Sequence, residues 1–123
     1  RIIMAFPSRI QGSGNSPLSA ANICGDGAVG LVAVGSTASD ALQLSAVNNT
    51  LTSSAASTGV KLPPTEVGAQ VIVRNDSGQT ITIYPYTTAS TINAAAASVT
   101  VATAKTILLA ATSATTWVSI TGA

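Results

Sequence analysis

From Val29 to Ile120 the chain is a series of short runs dense in Val, Ile, Leu and Thr, each cut off by Gly, Pro, Asn or Ser. Turn signals recurring about every 8–12 residues leave no room for amphipathic helices and favour short strands. The runs predict strands over Val29–Val34, Ala41–Val47, Thr50–Ser53, Ala69–Arg74, Thr80–Tyr84, Ser98–Val101, Thr106–Ala111 and Thr116–Ile120. Ala94–Ala97 has good helix propensity, but Ser98-Val-Thr-Val101 follows at once, and so short a segment does not hold a helix by itself. The expectation is an all-β fold, a compact antiparallel β-sandwich or jelly-roll-like domain over residues 29–123.

The clearest local prediction is a hairpin. Gln70-Val-Ile-Val-Arg74 and Thr80-Ile-Thr-Ile-Tyr84 flank Asn75-Asp-Ser-Gly78, whose residues tolerate the positive φ that hairpin loops require. In the second strand Ile81 and Ile83 face one way while Thr80, Thr82 and Tyr84 face the other, so one side of the sheet lies on a core. Pro85 ends that strand because it has no N–H for the ladder.

Residues 1–28 read differently. They hold Gly12-Ser-Gly-Asn-Ser-Pro17 and Gly25-Asp-Gly27, with apolar side chains at Ile2, Ile3, Phe6, Ile10, Leu18 and Ile23 that follow no period. This predicts an extended N-terminal arm, which either folds back on its own domain or docks on a neighbouring subunit. Ile2, Ile3, Phe6 and Ile10 are the candidate contacts. The apolar stretch ahead of Pro7 is too short for the core of a signal peptide.

Charge narrows the partners. Only 7% of residues are charged and the net charge is +1, against about 25% charged in an ordinary soluble domain. Arg1, Arg9, Lys61, Arg74 and Lys105 are scattered and build no basic stripe, so nucleic acid is not an expected partner. No apolar run approaches the roughly 18–20 residues of a spanning helix. The four aromatic residues, Phe6, Tyr84, Tyr86 and Trp117, are too few for the two girdles of a membrane barrel. Neither route gives a membrane protein. The surface is instead built from Ala, Ser and Thr, which together make up 54 of the 123 residues.

The inventory for catalysis is thin. There is no histidine and one cysteine, Cys24, so the commonest general base, the commonest zinc ligand and any internal disulfide are missing. Gly25-Asp-Gly-Ala-Val-Gly30 matches the letters of a dinucleotide loop, but a strand is predicted after it where the pyrophosphate needs a helix N-terminus. Asp76-Ser-Gly78 has the letters of an aspartic-protease loop and sits in the predicted turn. Asp26, Asp40 and Glu66 complete the carboxylates, and nothing in their spacing brings two together. The expectation is a protein that is not an enzyme, with no catalytic residues, no cofactor and no metal. Trp117 beside Val118 and Ile120 reads as a core side chain, or, with Tyr84 and Tyr86, as a platform for stacking a sugar.

From Gly59 onward the chain resembles the capsid decoration (cement) proteins of tailed bacteriophages. The resemblance is carried by Thr58-Gly-Val-Lys-Leu-Pro63, Gly68 ahead of Val71-Ile-Val-Arg-Asn75, Ile83-Tyr-Pro85, Thr91-Ile-Asn93, an Ala-rich linker before Ser98-Val-Thr-Val101, and Ala114-Thr-Thr-Trp117. The chain departs from that pattern at Pro64, which doubles a proline, and at Ala102-Thr-Ala104, where a glycine is expected before the last hairpin. The resemblance implies a tulip-like all-β domain in a homotrimer on the outer surface of an icosahedral phage head. There it would clamp neighbouring subunits of the major capsid protein. The alternative is a phage fibre or tail module, or a carbohydrate-binding β module, using Tyr84, Tyr86 or Trp117.

Overall fold

A computed structural model describes residues 11, 12, 14, 16–19, 25–94 and 96–122. Their regular structure is nearly all β, in ten strands: β1 (Gly27–Ala33), β2 (Leu42–Gln43), β3 (Asn48–Ser54), β4 (Gly59–Lys61), β5 (Gln70–Asn75), β6 (Ile81–Tyr84), β7 (Thr91–Ile92), β8 (Val99–Val101), β9 (Lys105–Ala111) and β10 (Thr116–Gly122). The expected all-β class is present, in two sheets. One sheet has the order β1-β3-β5-β9-β10-β7 and the other β2-β4-β6-β8.

Strand direction corrects the antiparallel expectation. The first six strands alternate between the two sheets, so the neighbour of a strand within its sheet is the next strand but one, running the same way. β1, β3 and β5 are parallel, as are β2, β4 and β6. Asn48 pairs with Gly27 on one side and Ile72 on the other, and Val60 pairs with Leu42 and Ile83. The chain thus winds as a flattened coil, one sheet on each broad face. Between these strands antiparallel pairing enters only in the second half, where β8 joins β6, β9 joins β5, and β10 joins β9.

The predicted hairpin at 70–84 is overturned for the same reason. β5 and β6 lie in different sheets, and Val71 and Val73 meet Ile81 and Ile83 through the shared core. The turn between them is a corner that crosses the layers, and Asn75 holds it. This fully buried amide donates from Nδ2 to the carbonyls of Gln79 (2.7 Å) and Val101 (2.9 Å). Its Oδ1 accepts from the N–H and the hydroxyl of Ser77 at 3.0 and 2.6 Å. Each polar atom of the side chain is satisfied, so the sharp turn costs little in buried polarity. At the corner before β3 the buried Asn49 donates from Nδ2 to Ala46 O at 2.9 Å, while its buried Oδ1 has no partner among the described residues.

Period-two alternation supplies the core. Along β5 and β6 every second residue is buried, and Leu51, Val60, Val101, Ile107, Leu109 and Trp117 join Val71, Val73, Ile81 and Ile83 in one cluster between the sheets. Each such aliphatic side chain contributes about 1.5–3 kcal/mol on burial. The strand at 41–47 is shorter than expected, only β2, and β7 has no counterpart among the expected strands. At the expected glycine position stands Ala104, with φ of 62°, in the left-handed region that glycine occupies more readily.

Of the proposed arm, Gln11, Gly12 and Pro17 to Ser19 are helical, and Ser16 Oγ accepts from Ser19 N–H at 3.1 Å. Ile2, Ile3, Phe6, Ile10 and Cys24 lie outside the described residues.

Candidate functional site

Two surface features stand out, one on the outer face of the larger sheet and one at the corner that follows β6. The first comes from an apolar excess in β5, β9 and β10. Ile107 and Leu109 fill the inner face of β9, which leaves Leu108 outward. In register, Leu108 pairs with Ile72 of β5 on one side and Ile120 of β10 on the other, while Ala110 pairs with Val118. Leu108, Val118 and Ile120 are exposed, Ile120 at 71%, and Ile72 is half-buried. An apolar ladder therefore crosses three adjacent strands on the solvent side. Nearby Arg74 is already paired, its Nε 2.8 Å from Asp76 Oδ1, so the ladder carries little unpaired charge.

The second feature is a cleft of about 380 Å³. Its walls are Ala38 from the loop between β1 and β2, Tyr84 and Pro85 at the end of β6, Thr87 and Thr88 after it, Ser90 and Thr91 at β7, and Ala97 and Ser98 before β8. Several contacts fix these walls. The Tyr84 hydroxyl donates to Ser36 O at 3.1 Å, tying the ring to the loop that carries Ala38. The ring lies close to Gly59, where a Cβ would come within 2.7 Å of its Cε2 and of Thr82 O, so only glycine fits. Asp40 Oδ1 closes the loop by accepting from Thr37 N–H at 2.9 Å and Thr37 Oγ1 at 2.8 Å. Those bonds, the Thr37 hydroxyl first, hold the exposed Asp40 carboxyl below its ordinary pKa.

The aromatic residues expected to stack a ligand do not come together. Trp117 is fully buried, which corrects its reading as an open platform and leaves it as a core side chain. Its indole N–H donates to Thr65 Oγ1 at 3.0 Å, and Thr65 shares a 2.9 Å hydrogen bond with Ser90 on the cleft wall. Tyr84 is half-buried and lines the cleft. Tyr86 is exposed, with Lys61 Nζ 5.4 Å from its ring centre, a surface cation–π contact.

The three aspartates are each engaged locally. Asp26 Oδ1 accepts from Val47 N–H at 2.9 Å, Asp40 closes its loop, and Asp76 pairs with Arg74. Among the described residues no group of three or more His, Cys, Asp or Glu side chains gathers where it could hold a metal ion. The Gly25–Gly30 motif runs directly into β1. Among the described residues no helix is long and apolar enough to cross a membrane.

Reasoning from sequence missed both surface features. Ile107-Leu108-Leu109 held the signal for the first: three consecutive apolar residues in a strand put apolar groups on both faces. The cleft had no such signal, because its walls come from segments about 60 residues apart that only the fold brings together. No family model matches the chain, and no curated protein or solved structure matches it either.

Proposed function

We propose that this chain is a structural virion protein of the decoration type. Three copies associate, seat on the outer surface of an icosahedral phage head, and clamp neighbouring major capsid subunits against the pressure of packaged DNA. It works without a cofactor, a metal or a catalytic step, through interface free energy multiplied by symmetry.

The observation that supports assembly is the outward ladder of Ile120, Leu108 and Ile72 with Val118 and Ala110 beside it. Contiguous apolar surface of this kind on a sheet is characteristic of interfaces, and covering it requires no desolvation of unpaired charge. A surface rich in Ser, Thr and Ala suits broad neutral contacts of the same sort. The trimer, the capsid and the role of Ile2, Ile3, Phe6 and Ile10 as gripping residues come from the sequence resemblance and the apolar, non-periodic arm.

The test is the solution mass of the full chain by light scattering, with co-sedimentation on expanded heads stripped of their decoration protein. A trimer that binds heads supports the reading. Leu108→Ser with Ile120→Ser should lower the mass to that of a monomer while the β signal in circular dichroism persists. Replacing Ile2, Ile3, Phe6 and Ile10 with Ser should weaken head binding and leave the mass unchanged. A wild-type chain that stays monomeric and ignores the heads would overturn the proposal.

A further inference from the structure

We infer that the cleft at the corner after β6 is a binding site for a neutral sugar, a single pyranose unit. This goes beyond the capsid role and does not depend on it. A volume of about 380 Å³ is at the small end of ligand pockets and is enough for one ring compound.

The chemistry of the walls selects the class. The lining is mainly apolar, with Tyr84, Pro85, Ala38 and Ala97 among it, and Thr87, Thr88 and Ser98 add hydroxyl-bearing residues, while the Ser90 hydroxyl is shared with Thr65 and that of Thr91 donates to Ala94 O. Each hydroxyl both donates and accepts, which matches the hydroxyls of a sugar. No lining side chain carries a charge at neutral pH, so a charged ligand would lose its hydration without repayment. A wholly apolar ligand would strip water from the hydroxyls and give them nothing in return. A pyranose offers C–H groups to the ring and proline and hydroxyls to the rim.

The site is also formed in advance. Tyr84 is held by Ser36 O at one end and by its fit against Gly59 along its edge. Ser90 is almost fully buried and anchored through Thr65 to the indole of Trp117. Binding therefore need not order the walls, which limits its entropic cost. The same chain of hydrogen bonds links the cleft to Trp117, so the indole N–H resonance reports on occupancy from within the core.

The experiment is a titration of the full chain, followed by amide and indole N–H shifts, with methyl glucoside, methyl galactoside and N-acetylglucosamine as probes and indole as an apolar control. Saturable shifts at Thr87, Ser90, Thr91, Ser98 and the Trp117 indole, with a dissociation constant on the order of 1 mM for at least one sugar, are expected. Ala97→Leu, which fills the cleft from an exposed position, should weaken binding by about tenfold or more. Thr88→Val, which removes one rim hydroxyl at constant shape, provides the same test should the larger side chain disturb the fold. No saturation with any of the sugars, equal binding by both variants, or saturation by indole alone would overturn the inference.

Discussion

The indole N–H of Trp117 donates to the hydroxyl of Thr65 at 3.0 Å across 52 positions of sequence. Pro63-Pro64 leads into Thr65, so the doubled proline that departs from the decoration-protein pattern lies next to the residue that satisfies the core tryptophan. Thr65→Val would leave the indole N–H without this partner in a buried setting and break the link to Ser90. The expected loss is about 1–3 kcal/mol in urea unfolding followed by Trp117 fluorescence. Thr65→Ser, which keeps the hydroxyl, should retain most of that stability.

Asn75 makes a similar case at a corner. Its amide satisfies two carbonyls and accepts twice from Ser77, and Asn75→Ala would abandon all four bonds. Unfolding should show a loss of about 2–4 kcal/mol, because buried Asn75 sits where water cannot readily replace it. A loss below ~1 kcal/mol would mean that the corner is held by the strands alone.

Ala104 points the other way. With φ of 62° it sits in a conformation that costs an L-residue with a Cβ about 1–2 kcal/mol, part of which glycine's greater unfolded-state entropy takes back. Ala104→Gly should therefore stabilise the protein by about 0.5–1 kcal/mol, read as a raised midpoint in thermal unfolding. An unchanged or lowered midpoint would show that the turn tolerates alanine without strain.

Asp40 gives a pH dependence with a definite sign. Its carboxyl is held below the ordinary value of 3.8 by bonds from Thr37, so the folded state favours the ionised form. The contribution is complete above the unfolded-state value and disappears as pH falls through the lower folded one. Acid unfolding of the wild type should include this loss below about pH 4, and Asp40→Asn should remove that step from the stability profile.

Strand pairing is open to direct measurement. Backbone NOEs should link Asn49 with Val73 in parallel geometry and Ile72 with Leu108 in antiparallel geometry. Hairpin contacts between the 70–74 and 80–84 segments should be absent.

The strands were legible because burial in a sheet imposes a period of two, and Val71-Ile-Val73 and Ile81-Thr-Ile83 display it plainly. Their partners were not. Asn75-Asp-Ser-Gly78 carries the same residues whether a chain turns within a sheet or between sheets, and only the placement of Asn75 against Val101, 26 residues on, decides the matter. The local reading of Trp117 as a core residue followed from its alternation with neighbours. Its competing reading as a stacking surface rested on residue type alone, as did that of Tyr86. The cleft depends on Ala38 meeting Ser98, a juxtaposition that no local pattern encodes.

The alternation of strands between sheets also sets the order in which the molecule can form. Asn48 must find Ile72 and Ile72 must find Leu108 before either ladder closes, whereas β9 and β10 are joined by a short turn in which Thr112 N–H bonds Thr116 O at 3.0 Å. Loop-closure entropy makes that last hairpin the cheapest to form, with microsecond kinetics, and leaves the winding of β1 to β6 as the slow event, on the order of milliseconds to seconds. On a ribosome that hairpin emerges after β1 to β6. The β5 edge of the coil therefore stays unpaired until β9 has been made.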